Sequence, residues 1–139
     1  MIREANIDDL NDLLHLYLFL HEKEIPESSR NLSDTWKKII NDKNHHIILN
    51  IIDGIPVSSC VCVIIPNLTR GIRPYAFIEN VVTHEEYRGK GLATECLNYA
   101  KKIAIENNCY KMMLLTGSKQ KSTLDFYSNA GYNLSLIHI

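Results

Sequence analysis

No stretch of the 139-residue sequence approaches the roughly 18 consecutive apolar residues that a membrane-spanning helix needs. The opening "MIREANIDDL" carries acids where a secretory leader would carry basic and then apolar residues, so the chain is expected to be cytoplasmic. Internal repeats, low-complexity tracts and linkers are missing too, which leaves one domain over residues 1–139. A strong positive charge is also lacking. With a net charge of −1 and a pI of about 6.6, no broad nucleic-acid surface is expected. The four cysteines, Cys60, Cys62, Cys96 and Cys109, form no C-x-x-C pair and no zinc spacing, and are read as buried reduced thiols. His45 and His46 are adjacent on a strand-like run, so their side chains diverge, and no metal site is expected.

What is present is a 45% hydrophobic chain with clear periodicities. Residues 1–4 read as a short strand. Asn6 can cap a helix with Asp8 and Asp9 in its first turn and Leu10, Leu13, Leu14, Tyr17 and Leu20 on one stripe. A second helix is expected from Ser33 to about Lys43. "HHIILNII" and "VSSCVCVII" flank Asp53-Gly54, a hairpin signal, and "YAFIENVVT" adds a third strand. A helix follows from about Gly91 to Asn107, then the strand "YKMMLLT". Ser122 with Asp125 looks like the capping pair of a last helix, and Gly131 like its C-terminal cap. The order β-α-α-β-β-β-α-β-α-β predicts an α/β (α+β) fold with a mixed, mostly antiparallel central sheet flanked by helices.

Chemistry concentrates in "VVTHEEYRGKGLATECL", residues 81–97, where a basic, glycine-punctuated turn runs directly into a helix. Glycines permit close backbone approach, and a helix start presents free N–H groups to an anion. The plain alternative is a helix N-terminus that uses glycine only for a tight turn. A Walker loop is not matched anywhere. "GKGLAT" fails the dinucleotide fingerprint at Thr94, and the next strand, ending "LLTGSK", lacks the ribose-binding acid.

Arg88-Gly89-Lys90-Gly91-Leu92-Ala93 does fit Q/R-x-x-G-x-G/A. With "ENVVT" before it and "LDFYSNAGY" after the next strand, the chain resembles the Gcn5-related N-acetyltransferases over roughly residues 1–133. The resemblance implies a fold of that family and acetyl-CoA as co-substrate. Arg88, Gly89, Lys90, Gly91, Leu92, Ala93 and Thr94 would cradle its pyrophosphate, chiefly through backbone N–H groups. It also implies a bulge in strand 76–83, whose sequence position is not evident. Strand 110–116 would splay away there, and the pantetheine arm would pair beside Val81 and Val82. A backbone N–H near Val82 would serve the thioester oxyanion.

In the same resemblance Tyr127 is the general acid for the departing thiolate, against the alternative of a core aromatic. Glu79 is the candidate base for the amine, against the alternative of a carboxylate on a wet strand face. His84 could serve as the base instead, but from its place in the loop it is expected to be solvated. The acceptor amine would be met by some of Phe19, His21, Glu22, Glu24, Arg70, Arg73 and Tyr75, a set whose mixed charges leave its class open. A non-catalytic acyl-CoA sensor is the competing function.

After Tyr132 similar proteins run on through a strand, a turn and a final strand, whereas "NLSLIHI" offers one short strand. The pattern is therefore expected to be truncated at the last strand. Self-association through the uncovered edge, in the simplest case a homodimer, or reduced stability would follow.

Overall fold

A computed structural model of the chain describes residues 1–116 and 120–132. β1 (Ile2–Glu4) is followed by a 3₁₀ turn, Ile7–Asp9, that leads directly into α1 (Leu10–Tyr17). Asn6 does cap this start: its side chain accepts the Asp8 N–H, while Asp9 accepts the Asn6 N–H. Arg3 grips the same Asp9 carboxylate at 2.7 and 2.9 Å, tying β1 to the helix start and holding the carboxyl below its usual range. α1 ends at Tyr17, one turn short of the stripe's last leucine, Leu20.

α2 spans Arg30–Asn41. It begins three residues before the expected Ser33, because Ser29 in extended conformation accepts the Leu32 N–H and is the true cap. β2 (His45–Ile52) and β3 (Ile55–Ile65) form the predicted hairpin. Asp53 and Gly54 both have positive φ, +53° and +79°, as the tight hairpin turn requires. β4 (Tyr75–Thr83), α3 (Leu92–Glu106), β5 (Met112–Leu114) and α4 (Lys121–Asn129) complete the described elements. β5 is shorter than "YKMMLLT" promised.

The five described strands lie in chain order, antiparallel from β1 to β4, with β5 parallel to β4. β3 is central and buried along most of its length. Its alternate residues feed two cores. Cys60 and Cys62 join Ile48, Ile78, Cys96, Leu97 and Ala100 beneath α3, while Val61 joins Leu13, Trp36, Ile47 and Leu49 beneath α1 and α2. Each buried Leu or Ile contributes about 1.5–3 kcal/mol. Burial pushes the thiols up, Cys62 to about 12 and Cys96 to about 11, so they stay protonated and inert.

Ser122 lies inside α4 and does not cap it; Gln120 holds the cap position, with no side-chain capping bond. Gly131 ends α4 as expected. At φ +99° it lets Tyr132 N–H reach Tyr127 O and its own N–H reach Ser128 O, a six-to-one and five-to-two closure. The expected last strand falls at 133–139, outside the described residues. No described helix is long and apolar enough to cross a membrane.

Candidate active site

The turn between β4 and α3 is built to expose main-chain donors. Gly89 and Gly91 stand at φ +77° and +78°, a left-handed conformation that costs other residues about 1–2 kcal/mol. A Cβ placed on either glycine would meet no protein atom within 4 Å, so the space over the turn is open. Glu95 N–H closes the first helical bond on Gly91 O. Among the described residues, no protein acceptor receives the N–H groups of Gly89 through Thr94. A 15-residue helix dipole adds positive potential at the same spot.

Beneath the turn, α3 is latched to the sheet. Asn50, 2% exposed on β2, donates to Leu92 O at 3.3 Å and to Glu95 Oε2 at 2.8 Å. Ser58, beside it on β3, donates to Val82 O at 3.0 Å and lies 2.9 Å from the Thr83 hydroxyl. The Glu95 carboxylate is thereby held to the β2 side chain of Asn50.

A cavity of about 710 Å³ lies over this turn. Val81, Val82, Arg88, Gly89, Gly91, Leu92, Ala93, Thr94 and Tyr127, nine of the predicted site residues, line it. α4 closes it from above with Ser122, Thr123, Phe126 and Tyr127, which share one face because they sit four residues apart in pairs. Lys90 is not brought in; its ammonium lies 5.2 Å over the Tyr87 ring. The Arg88 guanidinium holds protein carbonyls, Thr83 O at 3.2 Å and Phe19 O at 3.4 Å. It thus ties the turn to the end of β4 and to the segment after α1. His84 is not a free loop residue: its ring packs between Phe19, at 4.3 Å, and Tyr87, at 5.5 Å.

The bulge lies at Asn80–Val81. Ser59 faces Val82 and Val61 faces Glu79, so two residues of β4 oppose Cys60, with Asn80 at φ +51°. Parallel pairing of β4 with β5 stops at Ile78–Leu114, just before it. The His84 N–H reaches Val57 O, and antiparallel alternation from there makes Val82 and Ser59 a hydrogen-bonded pair. Main-chain groups facing the splay therefore belong to the neighbours of Val82, at the bulge and at the Thr83 N–H, the Thr83 carbonyl being held by Arg88.

Past the end of β4–β5 pairing, a second opening of about 420 Å³ meets the first. Glu79 and Asn80 line it from β4, and Leu20 and His21 from the segment after α1. Tyr127 lines both openings and so stands between them. Burial chiefly, with charge from the Cys60 and Glu79 side, raises the Tyr127 phenol above its ordinary value, so it keeps its proton at neutral pH.

The loop 66–74 does not reach this place. It enters β4 at the end opposite the bulge, where Arg73 donates to Asn108 O and Cys109 O, and Arg70 stacks 5.5 Å from the Tyr110 ring. Tyr75 packs edge-on to Tyr110. Of the residues considered for the acceptor, His21 lines the second opening and Phe19 the first; Glu22 and Glu24 line neither. Sequence reasoning missed Asn50, Ser58 and the α4 hydroxyls. The signal for the first was visible: an amide within an apolar strand run needs partners once buried.

Among known proteins, a glucosamine 6-phosphate N-acetyltransferase of Trypanosoma brucei brucei is 38% identical over 76 residues, 55% of this chain and 50% of that protein. The chain spans 50% to 59% of the length of the curated relatives it matches. A solved structure from Agrobacterium tumefaciens str. C58, described as a candidate acetyltransferase, superimposes with a TM-score of 0.93 at 34% identity, covering 100% of this chain and 96% of that one. A transcriptional regulator from Bacillus halodurans C-125 gives 0.87 at 28% identity, covering 100% and 96%. Residues 9–132, from the 3₁₀ turn before α1 to just past the cap of α4, match the model of the acetyltransferase (GNAT) family, and the chain belongs to that family.

Proposed function

We propose that the protein is a cytoplasmic acetyl-CoA-dependent N-acetyltransferase, moving the acetyl group to a primary amine of a small molecule or peptide by direct attack on the thioester. The observation that carries this reading is Tyr127, a protonated phenol at the junction of the cradle cavity and the Glu79 opening. A purely cofactor-binding domain has no need of that junction.

In this reading the N–H groups of Gly89 through Thr94 hold the pyrophosphate, and the pantetheine arm lies along Val81 and Thr83 as an added strand. Glu79 takes a proton from the entering ammonium, directly or through water. The amine nitrogen forms its bond to the acetyl carbon, charge on the carbonyl oxygen meets a bulge N–H, and the C–S bond breaks. Tyr127 donates its proton to the departing thiolate, whose conjugate acid has a pKa of roughly 8.5. The nitrogen of the tetrahedral adduct loses its second proton as the neutral amide forms, and the Tyr127 phenolate regains a proton from it, directly or through solvent.

The test is calorimetry with CoA and acetyl-CoA, followed by an amine panel monitored for free thiol. Saturable binding with amine-dependent thiol release is expected. Tight binding without release from any amine would instead favour the acyl-CoA sensor, a reading kept open by the structural likeness to a transcriptional regulator.

A further inference from the structure

Resting on that reading of the site, we infer that the acceptor is a cationic amine with no carboxylate or phosphate near its reacting nitrogen. The second opening contributes one carboxylate, Glu79, and no lysine or arginine among its described lining residues. The rest of its described wall is apolar, from Leu20, Ile78, Val81, Leu114 and Leu115, or polar, from Asn80, Thr116, the Tyr127 phenol and the His21 imidazole. An ammonium entering here meets its counter-charge at Glu79. An anionic group on the same molecule would meet that carboxylate with its own charge repelled, and would leave water for an apolar wall.

Among the described residues, Arg70, Arg73, Arg88 and Lys90 are engaged elsewhere. Arg73 spends its guanidinium on the carbonyls of Asn108 and Cys109 at the far end of β4, and Arg70 lies over Tyr110. Arg88 holds Thr83 O and Phe19 O at the cradle, and Lys90 covers Tyr87. Charge is thus partitioned along the site, with donors and cations on the coenzyme side and a carboxylate on the acceptor side. The partition selects a base bearing either no further charge or a second positive one.

Matched pairs of amines test this with the acetyl-CoA complex of the intact chain: cadaverine against lysine, and glucosamine against glucosamine 6-phosphate. Each pair differs by one anionic group. The member without the anionic group, monocationic glucosamine or dicationic cadaverine, should react with at least about tenfold higher kcat/KM. If no pair is turned over, the same compounds are compared by calorimetry as ligands of the CoA complex, with the same ratio expected in affinity. Glu79→Gln should shrink the affinity ratio within a pair. Equal or better use of the anionic members, or failure of every cationic member to bind at millimolar concentration, would overturn the inference. Coenzyme binding, measured separately, would survive that outcome, so failure here is distinct from failure of the acetyltransferase reading.

Discussion

Replacing Gly91 by alanine separates two effects that usually travel together. At φ +78° an alanine pays a conformational penalty of about 1–2 kcal/mol. Nothing within 4 Å opposes its Cβ, so no steric term is added in the free protein. Gly54, in the β2–β3 turn, offers a matched control: φ is +79° and the Cβ direction is equally open, but it lines neither cavity. Both variants should therefore lose a similar stability in urea titrations and melt about 2–8 °C lower. Only Gly91→Ala should weaken acetyl-CoA binding. Its methyl stands over the donors of the cradle, and losing one hydrogen bond to a charged phosphate is worth about 1.5–3 kcal/mol, or roughly 10- to 150-fold in Kd. If the two folded variants bound acetyl-CoA equally well by calorimetry, the turn would not be the phosphate seat, whatever its resemblance to one.

Tyr127→Phe should leave acetyl-CoA affinity nearly intact and lower turnover by roughly 10²–10⁴, measured as thiol release; unchanged turnover with chemistry rate-limiting would remove the general-acid role. Asn50→Ala should cost about 2–4 kcal/mol of stability, through the lost bonds to Leu92 O and the Glu95 carboxylate. It should also raise KM for acetyl-CoA while kcat at saturation holds, since it shifts the start of α3 and not Tyr127. Alkali should unfold the protein in a predictable window. Cys60, Cys62 and Cys96 titrate near 9.0 when unfolded and higher when folded, so the native state holds protons that the unfolded chain releases. Stability is fully present below pH 9 and lost as pH rises toward 11–12, on the order of 4 kcal/mol by pH 10 for the three thiols together. A urea midpoint flat from pH 8 to 10.5 would contradict their burial.

The geometry of the glycine turn could be read before the structure because it is local. Glycine at positive φ, a helix start and free N–H groups are all encoded within Arg88–Thr94. The same holds for the Asp53-Gly54 hairpin and the Gly131 cap. The acceptor side was illegible for the opposite reason. Arg70, Arg73 and Tyr75 stand near Glu79 in sequence, but strand β4 carries the loop before it and the bulge within it to opposite ends. Asn50 and Ser58 matter through contacts 42 and 24 residues away, which no local pattern displays. Caps shifted where a neighbouring residue was equally able, as Ser29 displaced Ser33.

The bulge acts on β4 as a frameshift acts on a message. Up to Ile78 the even-numbered side chains face α3; past Asn80 the phase is inverted, so that Val81 faces α3 and Val82, opposite Ser59, faces the other layer. Deleting Asn80 would therefore do more than shorten a strand. β4 would then pair regularly with β3, Val81 opposite Cys60, while Val82 stayed opposite Ser59 and Thr83 opposite Ser58, so every later residue would keep its face and only the kink would be lost. Nothing would then force β4 and β5 apart, and continued pairing beyond Ile78 and Leu114 would seal the gap in which the proposed reaction takes place. One inserted residue separates a sheet that can host a reaction from a sheet that can only be stable.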